Sequence, residues 1–292
     1  MTHRPGASVL HAARAGLAAA YGAALVALAL SFDHPLILLS LGGVVLAAAS
    51  LAGVGHEVRR AALFALPLGV LIAVVNALVV RQGLTVLVRL GEAGPLGQVD
   101  ITLEGLAYGL VLALRVTLVG MACALAAATV DPDELLRALR PLSFRSALTA
   151  ALATRMVPVL SRDARRMHEA RRCRPDGGGS SAAAGIALVR AVTTNALDRA
   201  VDVAATLELR GYTSRRAAPR GARRPWSRHD AAVGCSAAVL MVLAIGAAIA
   251  GVAGFEPYPR ISAPTGPPEL AFAAAIALVA LLPFADRRGI AR

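Results

Sequence analysis

Six long apolar runs constrain this chain more than any other feature of its sequence. A helix needs about 20 apolar residues to cross the roughly 30 Å hydrocarbon core of a bilayer. Candidate runs occupy residues 15–32, 36–54, 62–80, 105–129, 231–254 and 269–285. Of all 292 residues, 57% are hydrophobic and 16% are charged, which is too little charge to cover a soluble domain of this length. The sequence therefore predicts an all-α, polytopic membrane protein with about six transmembrane helices.

Arginines are distributed unequally between the two sides of these spans. One side holds Arg4, Arg14, Arg59, Arg60, the segment 131–229, Arg287, Arg288 and Arg292, whereas the other holds Arg81, Arg89 and Arg260. Cytoplasmic loops of membrane proteins carry the excess of positive charge. We therefore expect a multi-pass protein of the cell membrane with both termini in the cytoplasm. Its expected divisions are four spans in 1–130, a cytoplasmic region in 131–229 and two spans in 230–292.

The region 131–229 contains three predicted helices, Pro132–Leu142, Phe144–Arg174 and Gly185–Arg210. One side of the second helix carries four apolar residues and one acidic residue, namely Met156, Val159, Leu160, Asp163 and Met167. In the third, one face carries Leu197, Ala200, Val201, Ala204 and Leu207, and another carries Arg199, Asp202, Thr206 and Arg210. Apolar residues at three- and four-residue steps are typical of an amphipathic helix. The pattern predicts two long amphipathic helices.

The ends of these two helices differ in their expected chemistry. Arg210 falls in the last turn of the third helix, where a cation complements the helix dipole, and Gly211 can adopt the left-handed conformation that ends a helix. Pro175 prevents continuation of the second helix. From periodicity alone, a solvated surface helix with a good C-terminal cap remains an alternative for the third helix.

Motifs for catalysis, nucleotide binding and metal binding are missing from the sequence. It contains no Walker A motif, and its three cysteines and six histidines lack metal-ligand spacing. We interpret the acidic residues around Pro132 (Asp131, Asp133 and Glu134) as a helix cap. The basic stretch 213–229 fits attraction to anionic lipid, and it lacks a nucleic-acid reader motif. No catalytic residue, cofactor, metal or nucleic-acid partner is expected.

Two polar residues lie inside predicted spans, Asn76 in the third and Arg115 in the fourth. An ionised arginine at the centre of a span costs about 2.5–3.5 kcal/mol on insertion scales, so it must face protein, water or a partner. Arg115 is either a contact for a bound subunit or bonded internally to helix carbonyls or to Asn76.

Two passages of the cytoplasmic region resemble the transmembrane T component of energy-coupling factor (ECF) transporters, a family that includes the cobalt-transport Q subunits. Arg155-Met156-Val157-Pro158, followed by DARRMHEARRCRP, is similar to the first motif of that family and places Arg174 at its arginine. Arg199-Ala200, Asp202 and LELRGY, which ends at Tyr212, are similar to the second. The first motif departs from the family pattern at Cys173 and Pro175. The stretch Ile101–Val116 is also similar to the fourth span of the family, and Ala128–Leu139 is similar to the segment that follows that span.

The resemblance implies a non-catalytic scaffold rather than an enzyme. Its two cytoplasmic coupling helices would dock on two ABC ATPase subunits, and it would hold a membrane-embedded S subunit that binds a vitamin or a transition-metal ion. The implied ATPase-coupling residues are Arg210, Gly211, Glu208 and Arg174, supported by Arg155, Pro158, Arg166, Arg199 and Asp202.

Two alternatives remain open. One is a membrane enzyme of lipid or prenyl metabolism with a cytoplasmic basic site, which the missing acidic metal motifs disfavour. The other is a channel or secondary transporter, for which only Arg115 offers a midplane ionisable group. The resemblance implies that the S subunit, rather than this chain, selects the transported substrate.

Overall fold

Helices form nearly all of the described chain. The computed structural model describes residues 8–80, 85–92, 98–139, 144–173, 182–211, 225–250, 254–255 and 265–286. The helices are α1 (Val9–Ala12), α2 (Ala15–Ser31), α3 (Pro35–Leu51), α4 (Gly55–Val79), α5 (Leu103–Thr129), α6 (Pro132–Leu139), α7 (Phe144–Arg172), α8 (Ala182–Leu209), α9 (Arg228–Ala250) and α10 (Pro267–Leu281). The 3₁₀ turn Leu282–Ala285 extends α10. The predicted all-α polytopic class is confirmed.

Each of the six predicted spans corresponds to one helix. Among the described residues, α4, α5, α9 and α10 with its 3₁₀ turn are long and apolar enough to cross a membrane. The helices α2 and α3 are apolar but shorter, at 17 residues each. The chain separates into two compact units, one formed by 1–138 with 226–292 and the other by 139–225. The short helix α6, except its last residue Leu139, thus belongs to the first unit.

The connection between α4 and α5 contains two short strands. Strand β1 (Val86–Glu92) pairs antiparallel with β2 (Gln98–Thr102), with Val86 opposite Thr102. Thr102 then caps α5, because its hydroxyl accepts the Gly105 N–H at 3.2 Å. The buried Glu104 carboxylate accepts the Thr85 N–H at 3.2 Å, so the start of α5 is tied to the residue before β1.

The apolar helices of the first unit pack against one another and are joined by side-chain hydrogen bonds. The helix α2 packs against α9 and α5, and α3 packs against α10 and α5. Tyr21 is buried in this core and donates its hydroxyl hydrogen to the Ala280 carbonyl at 2.9 Å. Ser236 donates to the Val279 carbonyl at 2.8 Å. Because hydrocarbon provides no hydrogen-bond partners, these side-chain bonds satisfy polar groups that lipid could not.

The helices α4 and α5 pack closely, and a glycine permits this approach. A Cβ added at Gly109 would lie 2.8 Å from the Ala73 carbonyl oxygen and 2.9 Å from its Cα. Both atoms belong to the backbone of α4, so they cannot rotate away as a flexible side chain would. The two helices must therefore separate if residue 109 gains a side chain.

Gly109→Ala is expected to destabilise the protein by about 1–3 kcal/mol, the usual range for overpacking. The matched control is Gly43→Ala in α3, because a Cβ at Gly43 meets nothing within 4 Å. The melting temperature of the purified protein in detergent should fall by roughly 3–10 °C for Gly109→Ala. Equal melting temperatures for the two variants would show that α4 and α5 do not pack this closely.

A buried carboxylate joins the starts of α2 and α9. Asp230 accepts the Arg14 N–H at 2.7 Å and the Ser227 N–H at 3.0 Å, and its own N–H donates to the Ser227 hydroxyl at 3.1 Å. The Arg14 guanidinium lies 3.5 Å from this carboxylate and 4.6 Å from the centre of the Trp226 ring. The Asp230 side chain has no exposed surface. We call Arg14, Trp226, Ser227 and Asp230 the Asp230 junction.

Candidate functional site

The second unit contains α7 and α8, which pack against each other. The half-buried residues of α7 include Met156, Val159, Leu160, Asp163 and Met167. These five are the residues that the sequence placed along one side of this helix.

The half-buried residues of α8 are Leu188, Val192, Ala196, Val203 and Leu207. Leu197 and Val201, which lie on the apolar face that the sequence predicts, are 63% and 68% exposed. The side of α8 that meets α7 also contains Arg199, which pairs with a carboxylate of α7. An exposed apolar face, comprising Ile186, Val189, Leu197 and Val201, remains on α8.

An ion pair joins the two helices. A guanidinium nitrogen of Arg199 in α8 lies 3.4 Å from the Asp163 carboxylate in α7, and the Arg199 side chain is 44% exposed. Exposed ion pairs contribute about 0.2–1 kcal/mol, because water screens the attraction and both side chains lose freedom. The pair therefore indicates which faces of α7 and α8 meet, and it contributes little to the stability of their contact.

Arg199→Asp and Asp163→Arg are each expected to lower the melting temperature of the purified protein by no more than about 4 °C. The double variant, which restores opposite charges across the same gap, should return to the wild-type value. If the double variant melts below both single variants, the two side chains do not face each other.

The end of α8 has the geometry that its sequence predicts. The Gly211 N–H donates to the Glu208 carbonyl at 2.8 Å, and the φ angle of Gly211 is 72°, in the left-handed region. Glycine adopts this conformation without the steric penalty of a Cβ, so it terminates the helix. Glu208, Arg210 and Gly211 are all exposed. The turn thus leaves Arg210 as an exposed cation at the carboxyl end of a long helix.

The residues of the first motif lie along α7. Arg155, Pro158 and Arg166 are exposed. Pro158 lies inside the helix, and its carbonyl accepts bonds from the Ser161 hydroxyl at 3.0 Å and from Arg162 Nε at 3.1 Å. A described turn at Cys173 follows the end of α7, whereas Arg174 and Pro175 lie outside the described residues. The expected ATPase contact by Arg174 therefore stays a prediction.

Asp202 is exposed on α8. Tyr212 and 213–224 lie outside the described residues, as does the 140–142 part of the first predicted helix. Asp131 caps α6 as expected, since its carboxylate accepts the Asp133 N–H at 2.9 Å.

Arg115 bonds within the first unit. Its guanidinium donates to the Phe32 carbonyl at 2.8 Å and forms an ion pair with Asp33, both in the turn between α2 and α3. Asn76 instead donates to the Ile72 carbonyl of its own helix at 3.3 Å. Asp33 was not among the partners expected for Arg115 from the sequence. The available signal was charge complementarity between an arginine inside one span and an acid in a short turn between two others.

A sequence model of a known family matches most of the chain. The CbiQ family, described as cobalt transport protein, matches residues 6–219. This match includes α7, α8 and the Arg210 end. No curated protein matches the chain. The chain belongs to the CbiQ cobalt transport protein family, the family of ECF transporter T components, and is a multi-pass membrane component of cobalt or micronutrient transport.

Proposed function

We propose that this chain is the non-catalytic scaffold of an ECF-type importer. In this role it couples ATP hydrolysis by two partner ABC ATPases to the uptake of a vitamin or a transition-metal ion bound by an S subunit. Family membership supports the class of protein. The observation that carries the coupling role is the exposed Arg210 at the left-handed end of α8.

The chemistry of Arg210 fits a docking contact. A guanidinium presents several N–H donors in a planar fork, which matches carboxylate or carbonyl acceptors in a defined geometry. A helix also transmits a displacement at its end along its length, since its backbone is hydrogen-bonded throughout. Closure of the ATPases on ATP would then move the end of α8 and, through it, the bound S subunit.

The exposed apolar face of α8 supports a protein partner on the same helix. Ile186, Val189, Leu197 and Val201 are each more than 60% exposed. An apolar stripe of this kind on a helix in water indicates an interaction surface. In the proposed complex, the S subunit covers it.

The proposed orientation places both termini and the α7–α8 pair in the cytoplasm, where the ATPases are. It follows from the arginine distribution along the sequence. Neither a metal nor a cofactor is assigned to this chain. Among the residues that the structure describes, no cluster of three His, Cys, Asp or Glu side chains could hold a metal ion.

The direct test is purification of the tagged chain after co-expression with the ATPase and S subunits encoded nearby. We expect a complex that contains two ATPase subunits, and uptake in reconstituted vesicles that requires ATP. A chain that purifies without ATPases, and whose vesicles transport equally well without ATP, would contradict the proposal.

A further inference from the structure

The apolar spans of α2, α9 and α10 end at one common level on one side of the first unit. No Arg, Asp or Glu occurs in the runs 15–32, 231–255 and 270–285. Arg14 directly precedes the first run, Asp230 directly precedes the second, and Asp286 directly follows the third. The Arg14 N–H donates to Asp230 at 2.7 Å, and Arg228 lies 3.5 Å from Asp286. The polar ends of these three spans therefore lie side by side.

Helix α5 ends at the same level. Val130 forms a buried cluster with Ala15 and Ala18 at the start of α2, and the acidic residue Asp131 directly follows it. Four helices thus change from apolar to charged residues at one plane, which we call the boundary plane. Because such a change occurs where a span leaves the hydrocarbon, this plane indicates one surface of the bilayer. The arginine distribution predicts that it is the cytoplasmic one.

Trp226 lies just outside the boundary plane. It precedes Asp230 by four residues, and the centre of its ring lies 4.6 Å from the Arg14 guanidinium. The headgroup layer of a bilayer extends roughly 5–7 Å beyond the hydrocarbon, so the ring is at headgroup level. Trp226 is 69% exposed although Arg14 covers part of it. Tryptophan is enriched at this level in membrane proteins, because its ring is apolar and its N–H is polar.

Two arginine side chains lie beside this ring, and one of them is accessible to a ligand. Arg14 pairs with the fully buried Asp230 carboxylate and is 29% exposed. Arg228 is 53% exposed, and its partner Asp286 is 49% exposed. Exposed ion pairs are weak, so a phosphate can compete with Asp286 for Arg228. A guanidinium binds phosphate oxygens through two parallel N–H bonds, which suits a lipid headgroup.

The sequence adds positive charge next to this position. Arg223 and Arg224 lie within three residues before Trp226, and Arg287 and Arg288 directly follow Asp286. These four residues lie outside the described part of the chain. Their charge favours anionic over zwitterionic lipid on this side of the membrane, where the cytoplasmic leaflet is the anionic one.

We propose that Trp226 and Arg228 form a contact site for an anionic phospholipid at the start of α9. The Arg228 guanidinium binds the lipid phosphate, and the Trp226 ring packs beside the upper part of the same lipid. The Asp230 junction holds the ring in place, since Arg14 contacts both Trp226 and the buried carboxylate. The site fixes the depth at which α9 enters the bilayer. This inference does not depend on the proposed ATPase coupling.

The fluorescence of Trp226 tests the site directly, because the chain contains no other tryptophan. The full chain is reconstituted in phosphatidylcholine vesicles with increasing fractions of nitroxide-labelled phosphatidylglycerol. A parallel series uses phosphatidylcholine with the same label at the same acyl position. The measured quantity is the ratio of the two quenching constants, phosphatidylglycerol over phosphatidylcholine.

In the wild-type protein this ratio should be at least about fivefold, the preference that one arginine gives at an anionic surface. Arg228→Gln should lower the ratio about fivefold. Asp286→Asn is the matched control, because it breaks the same ion pair but removes the carboxylate that competes with the phosphate. Its ratio should equal or exceed that of the wild type. Both variants should melt within about 4 °C of the wild-type protein.

Three results would overturn the proposal. Equal quenching by the two lipids in the wild-type protein would show that the site has no preference for anionic lipid. A ratio that stays unchanged in Arg228→Gln, or that falls equally in Arg228→Gln and Asp286→Asn, would show that the Arg228 guanidinium does not bind the phosphate. Quenching by neither lipid would place Trp226 outside the headgroup layer.

Discussion

Replacing Arg210 with alanine is expected to reduce ATP-driven uptake by about 10- to 100-fold while the protein still inserts in the membrane. This range corresponds to the loss of one charge-assisted hydrogen-bonded contact, about 1.5–3 kcal/mol. Arg210 is exposed and lies beyond the last residue of α8, so its removal leaves the packing of α8 on α7 intact. ATP-dependent uptake and co-purification of the ATPases, measured on the same preparation, check this result.

Two further variants show whether the loss of uptake is specific to position 210 and whether it depends on the planar guanidinium or only on the positive charge. Arg60→Ala removes an exposed arginine of α4, outside α7 and α8, and should leave uptake near the wild-type value. Arg210→Lys keeps the charge but loses the planar fork, so it should fall between wild type and Arg210→Ala. If Arg210→Ala matches wild type in both uptake and ATPase retention, the coupling role of this residue is wrong.

Replacing Asp230 with alanine is expected to destabilise the first unit by about 3–5 kcal/mol. The carboxylate accepts two backbone N–H groups, from Arg14 and Ser227, and it is fully buried. Its removal leaves both donors without this acceptor and the Arg14 guanidinium without its counter-charge. The melting temperature of the purified protein in detergent should fall by roughly 10 °C or more.

Asp286→Ala is the matched control for the Asp230 variant. Asp286 also pairs with an arginine, Arg228, at 3.5 Å, but both side chains are about half exposed. Its loss should cost less than about 1 kcal/mol. Asp230→Asn, which keeps an oxygen acceptor but not the charge, should lie between the two. Similar melting temperatures for Asp230→Ala and Asp286→Ala would contradict the buried junction.

The parts of the fold that depend on local pattern could be predicted from the sequence. Apolar runs of membrane length identified six helices, and three- and four-residue spacing identified the half-buried side of α7. Gly211 was expected to end α8 because glycine alone among the amino acids has no Cβ to oppose a positive φ. Each of these inferences uses residues within one element.

Contacts between distant parts of the chain could not be predicted in the same way. Arg115 and Asp33 are 82 positions apart, and only the packing of α2 and α3 beside α5 brings them together. The pairing of Arg199 with Asp163 of α7, 36 positions earlier, was likewise not visible from the pattern of α8 alone. Ser227 and Asp230 did carry a local signal, the Ser-x-x-Asp spacing of a capping box, although its link to Arg14 was not visible from it.

The Asp230 junction also bears on how the protein is synthesised. Arg14 and its acceptor are separated by 216 positions, so the ribosome makes α2 long before α9 exists. At about 5–20 residues per second, this interval is on the order of 10–40 seconds. During that time the start of α2 lacks the carboxylate that caps it in the finished protein, and the Tyr21 hydroxyl lacks the Ala280 carbonyl. The first helices inserted therefore remain incompletely packed until translation reaches the last two, and a ribosome that stops earlier releases a product without its final core contacts.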